Sequence, residues 1–249
     1  FFFKQKTAYE ILTCDWSSDV CSSDLINEHG GHALGIFNGN RITLRNLRVK
    51  GMLFGQQVQD VRIEDCVIGG SETTGVQFSD SQALLVGNVI HDNDHGVNIA
   101  GKSDVRLERN VILRSLFEAV VVNDKAKASL VGNTLVKNGG GAAFLGASQT
   151  EASGNVVGLN KIGFLVAPSS RTTTSFNAFF NSDADYMRAG TPNTPAPDLR
   201  QDSDIVGDPS FVDAERDDFR LRSDSGLLNK GQFPFLGALP PVQKLSSAR

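Results

Sequence analysis

The chain has 249 residues, 40% of them hydrophobic and 21% charged, with a net charge of −4 at pH 7. That balance excludes the basic surface on which nucleic-acid binding depends. No apolar run approaches the roughly 18 residues that a membrane span requires, so no span is expected.

Residues 1–25 do not read as part of a fold. Residues 3–10 and 15–24 translate back into strings of common sequencing-adapter oligonucleotides, with 11–14 spanning a variable index. A signal peptide would need a long apolar core, whereas Lys4 and Lys6 are followed by polar residues and by Asp15, Asp19 and Asp24. The segment is therefore expected to be adapter-derived and non-native, with the native chain starting near Ile26 and its export signal and first coils missing. Cys14 and Cys21 go with it, and Cys66 alone makes no intramolecular disulfide, so the redox compartment stays open.

From residue 26 to 187 the sequence repeats. Short lines recur as LRNLRV, IEDCVI, LVGNVI, LERNVI, LVGNTL, ASGNVV and TSFNAF, centred on Asn46, Cys66, Asn88, Asn110, Asn133, Asn155 and Asn177. The steps are 20, 22, 22, 23, 22 and 22 residues. A period of this size marks a solenoid in which one repeat cannot bury its apolar face alone and must stack on its neighbours. Apolar residues alternate within each line, as in Val105 and Leu107, which is strand spacing. A second apolar run follows, opened by a small residue at Gly75, Gly96, Ala119, Ala142 and Gly163, so each coil holds at least two strands. Stacked coils make parallel sheets. The Asn column is expected at a bend between sheets, each amide bonding its copy in the next coil, with Cys66 as a small buried substitute.

Two rows flank that column. Four residues beyond it lie Lys50, Gly70, Asp92, Arg114, Lys137, Leu159 and Asn181, a charged stripe with Asp92 within reach of Arg114 and Arg114 near Lys137. The next row, Ser71, Asn93, Ser115, Asn138, Asn160 and Ser182, is small and polar, as a turn demands. Residues 91–95, His-Asp-Asn-Asp-His, crowd one turn beside the stripe. This is either a solvated turn or a site in which Asp92 and Asp94 bind a cation or a sugar hydroxyl. His29 and His32 lack a third ligand and are weak evidence for a metal site.

Residues 35–187 resemble the right-handed parallel β-helix repeats of pectate lyases, other polysaccharide lyases and epimerases, the pectate-lyase-like superfamily. The resemblance implies an all-β, right-handed, single-stranded parallel β-helix, and the crossover rule agrees on the hand. It also implies a carbohydrate-active protein acting on an acidic polysaccharide as a lyase or epimerase, secreted or periplasmic, and we expect a monomer. Such lyases remove the proton alpha to a uronate carboxylate with a basic residue while a cation or arginine neutralises the acid. On that plan the candidate catalytic residues are Asp92, Asp94, His95, Arg114 and Lys137. No cofactor motif is evident, and calcium remains open. The scaffold hosts several chemistries, so a non-catalytic extracellular glycan-binding or surface-structure protein is the alternative.

After Asn181 the period fails and Pro192, Pro195, Pro197 and Pro209 appear. Residues 188–249 are expected to form an irregular C-terminal cap and polar tail, protecting a solenoid end whose open strand edges would otherwise aggregate. The outward positions of the second strand, read as Gln77, Asn98, Val121, Phe144 and Leu165, turn apolar in the late coils, so the cap is expected to cover that end of the face.

Overall fold

The computed structural model describes residues 24–26 and 32–242; the adapter-like residues 1–23, His29 and the last seven residues lie outside them. Each coil carries three short strands. Sheet C holds strands such as Asp104–Glu108, sheet A strands such as Val111–Leu113, and sheet B strands such as Glu118–Val122. The Asn-centred lines are thus not one strand: each breaks at a bend between sheets C and A, and the later apolar run forms sheet B. All pairings between successive coils are parallel, giving a right-handed solenoid. Among the described residues sheet C has seven strands, while A and B have nine each. At sheet spacing, seven strands span roughly 30 Å. Sheet A takes its first strand from Asp24–Ile26, which pairs with Arg48–Lys50, so two residues of the adapter-like segment lie against the first coil.

The core consists of columns of like residues, because parallel register places equivalent positions directly over one another. Ile68, Ile90, Ile112, Leu135, Val157 and Phe179 form one such column in sheet A, fully buried. The late coils fill with rings: Phe164 packs 5.2 Å from Phe144, 5.1 Å from Phe179 and 5.6 Å from Tyr186.

Register corrects three alignments made from sequence. Arg48 pairs with Val67, so Leu47, not Asn46, stands over Cys66; Asn46 instead takes the left-handed bend position (φ 55) that Asp65 holds in the next coil. Val120 pairs with Ala142, which makes Gly141 the small residue that opens its strand. Val121 pairs with Ala143, so Ala143 is the outward residue while Phe144 points into the core, fully buried. The small residue is a steric requirement: a Cβ at Gly96 would come within 2.4 Å of the Ala119 carbonyl in the next coil.

The C-terminal segment does two things. Thr194–Pro195 pairs antiparallel on the last strand of sheet B, the turn Pro197–Leu199 follows, and Ile205–Val206 adds a last parallel strand to sheet A, closing the end. The chain then reverses and runs back over the outer face of sheet A as two hairpins, Phe211–Asp213 with Asp218–Leu221 and Leu228–Lys230 with Phe233–Phe235. The late face of sheet B was the expected place for this cover. Sheet A takes it instead because its outward residues are the apolar ones: Phe219 packs on Val111, Leu113 and Val136, while Leu221, Leu227 and Leu236 pack on Val156 and Ala178.

Candidate functional site

The Asn column is structural. Asn110 Nδ2 donates to the Leu85 carbonyl at 2.9 Å and to Asn133 Oδ1 at 3.0 Å, and Asn110 Oδ1 accepts from both nitrogens of Asn88. The same pattern runs from Asn88 to Asn177 and ends where Asn177 N donates to Asp204 Oδ1 at 3.0 Å. Cys66 continues it at the other end: its backbone N donates to Asn88 Oδ1 at 2.9 Å, and burial pushes the thiol pKa up.

The row of small polar residues forms a second buried ladder at the turn. Ser115 N donates to Asn138 Oδ1, Asn138 N donates to Asn160 Oδ1, and Asn160 Nδ2 donates to Asn181 Oδ1. Asn181 therefore belongs to this ladder, one row inward of its expected place, and exposed Ser182 does not join it. The ladder is broken at Ser115, whose hydroxyl has no partner, and this leaves the buried Asn93 Nδ2 without one as well.

The charged stripe forms from Asp92, Arg114 and Lys137, while Lys50 pairs with Gly69 rather than standing over Gly70 and so falls outside it; its geometry comes from the backbone. Asp92, Arg114, Lys137 and Leu159 all adopt left-handed conformations (φ 54, 53, 57 and 58), so each projects from a sharp turn between sheets A and B. Arg114 grips Asp92 through two parallel bonds, Nε to Oδ1 at 2.7 Å and Nη2 to Oδ2 at 2.8 Å. The guanidinium holds the Asp92 carboxyl down at about 2, and Asp92 in turn raises the Arg114 pKa. Sequence reasoning missed the fourth member. Asp217, at the tip of the first return hairpin, accepts from Lys137 Nζ at 2.7 Å and from Arg114 Nη1. No periodicity pointed to Asp217, because a residue 103 positions from Arg114 comes beside it only by tertiary docking.

The five expected residues do not converge. Asp92, Arg114 and Lys137 join Asp217, while His95 lies in sheet B with different partners. Its Nδ1 is 3.3 Å from Glu118 Oε2 without hydrogen-bond alignment, and its ring stacks on Phe117 at 5.1 Å. The His95 ring lowers the Glu118 carboxyl below its usual range, against the opposing effect of burial. Asp94 is half-buried and touches its neighbours through backbone bonds, its N donating to Ser71 and its carbonyl accepting from Phe117. Both oxygens of Asp92 are occupied by Arg114 and His91. Among the described residues no group of three or more His, Cys, Asp or Glu is arranged to hold a metal.

Phe117 owes its place to an insertion. Val89 pairs with Val111, 22 residues on, yet Val97 pairs with Val120, 23 on; Val111 pairs with Thr134 at 23 and Val120 with Ala142 at 22. The extra residue sits between those strands, where Leu116 and Phe117 bulge out, 65% and 49% exposed. A bulge of this kind re-aims a side chain. The single 23-residue step in the sequence was its signal.

Beyond Lys137 the turn edge opens into a groove of about 610 Å³ lined by Lys137, Leu159, Lys161, Phe180 and Asn181. Lys161 is exposed and makes no ion pair among the described residues, and Phe180 is 41% exposed. The edge thus carries Arg114, Lys137 and Lys161 interleaved with Phe117 and Phe180. Comparison with curated proteins gives no significant match. The description "Right handed beta helix region" fits residues 26–179, well over half of the chain, and the parallel coils, Asn ladder and register all agree with it. The chain belongs to the family of right-handed β-helix region proteins.

Proposed function

We propose that this is a carbohydrate-active β-helix that engages an acidic polysaccharide along the turn edge between sheets A and B, as a lyase or epimerase. One observation carries the reading: the groove at Lys137, Lys161 and Phe180 combines cations with an exposed aromatic face. A uronate ring presents the complement, a carboxylate for the ammonium groups and an apolar C–H face for the ring. Coil spacing of about 4.8 Å sets successive cations at intervals suited to successive sugars of an extended chain. The resemblance of residues 35–187 to the pectate-lyase-like superfamily points to the same substrate class, and with it an extracellular or periplasmic setting. Arg114, gripped by Asp92, is an electrostatic partner and not a base. The proton at the carbon alpha to the carboxylate falls to His95, the imidazole beside Glu118, because an imidazole nitrogen can accept it. Cations on the carboxylate would stabilise the enolate as it forms.

A second reading, glycan binding without chemistry, is favoured by the pairing of Arg114 and Lys137 with Asp217, which neutralises much of the stripe. One assay separates the two: polygalacturonate and alginate, with and without calcium, monitored by the ultraviolet absorbance of unsaturated products and by binding. Absorbance that is lost in His95→Ala would establish the lyase, and an exchanged C5 proton without cleavage the epimerase. Binding that Lys161→Ala weakens, with no product, would establish the binder. No binding to any acidic polysaccharide would sink both.

A further inference from the structure

The anion seat of this protein is already occupied by its own chain. Asp217 spans two cations with one carboxylate: Oδ1 meets Lys137 Nζ at 2.7 Å and Oδ2 meets Arg114 Nη1. A planar anion with one oxygen on each cation is the arrangement that an external carboxylate would adopt there. Resting on the acidic-glycan reading, we propose that Asp217 is an internal competitor, and that a ligand carboxylate binds at Arg114 and Lys137 by displacing it.

The surroundings allow this exchange without unfolding. Asp217 is 36% exposed and its side chain has no other hydrogen bond among the described residues, so it can swing into water. The hairpin that carries it stays docked through Phe219 and Leu221, which are 2% and 1% exposed, against Val111, Val136 and Val156. Lys137 is also held in place, with Nζ 5.5 Å from the centre of the Phe219 ring. The seat therefore keeps its shape when Asp217 leaves. The return segment is more than a cover for sheet A: it sets the affinity of the stripe for anions.

The test compares Asp217→Asn with Glu215→Gln. Both remove one negative charge from the same turn, but only the first removes the charge that pairs with the two cations, since exposed Glu215 touches neither. Asn tolerates the left-handed backbone (φ 59) at this position. Oligogalacturonate should bind Asp217→Asn roughly fivefold more tightly than wild type, with Glu215→Gln unchanged. An acetate titration should shift the Arg114 guanidinium resonances in Asp217→Asn and leave those of wild type and Glu215→Gln in place. Equal gains in affinity for the two variants, or no acetate response in Asp217→Asn, would overturn the proposal. If acetate responds as described while no protein binds oligogalacturonate, the seat stands and the polysaccharide reading falls.

Discussion

At the scale of single residues, the clearest division is between amides that hold the coils and charges that decorate them. Asn110 satisfies the Leu85 carbonyl and both nitrogens of Asn88 in a site that water does not reach. Asn110→Ala strands several buried polar groups at once, and a loss on the order of 3 kcal/mol is expected in urea unfolding. Asp92 differs, because its side chain is 48% exposed and its pair with Arg114 faces solvent. Its folded pKa is depressed to about 2 from 3.8, so its contribution is full above the unfolded value and fades as pH falls through about 2. The advantage of wild type over Asp92→Asn should be no more than about 1 kcal/mol at neutral pH, and should shrink between pH 4 and 2. A constant difference across that range would show that the pair does not stabilise the fold. The Asn column was legible because one residue type recurs at one spacing. Leu47 was not, because a leucine offers no such marker and Asn46 beside it mimics one.

At the scale of elements, one inserted residue does much of the work of making the turn edge irregular. The Phe117 bulge brings a ring over His95 while leaving the flanking pairs of sheets A and B intact. Deleting Phe117 would restore a 22-residue coil, so the variant should still melt cooperatively. Its affinity for oligogalacturonate should drop severalfold, as the stacked ring no longer lines the edge. Unchanged affinity would remove Phe117 from the site. The three-strand coil could not be read in full from alternation, since a sharp bend such as that at Arg109 and Asn110, between Glu108 and Val111, leaves the apolar period nearly unbroken.

At the scale of the whole molecule, the return segment links the outer face of sheet A to the turn edge. It buries an apolar stripe on the outside of sheet A and places Asp217 on the cations. Removing residues 207–249 should leave the parallel coils formed, because their ladders and core lie within residues 32–206. The uncovered Val111, Leu113, Val136 and Val156 would then form a continuous apolar face, and light scattering should report self-association. A monodisperse truncated protein would show that the segment is dispensable for solubility.

The sequence alone determined the solenoid, the Asn ladder and the stripe of Asp92, Arg114 and Lys137, because each is a local pattern that stacking repeats once per coil, and it marked the C-terminal cover by the point where that pattern stops. Only the tertiary structure decided which face that cover protects, that Asp217 reaches Arg114 and Lys137, and that His95 and Glu118 stand apart from them. Those features depend on contacts between segments about 80 to 100 residues apart, and on a one-residue shift of register that turns Phe144 inward and Phe117 outward. Period and composition carry no record of either, since docking is set by the shape of two surfaces that exist only after the coils have stacked.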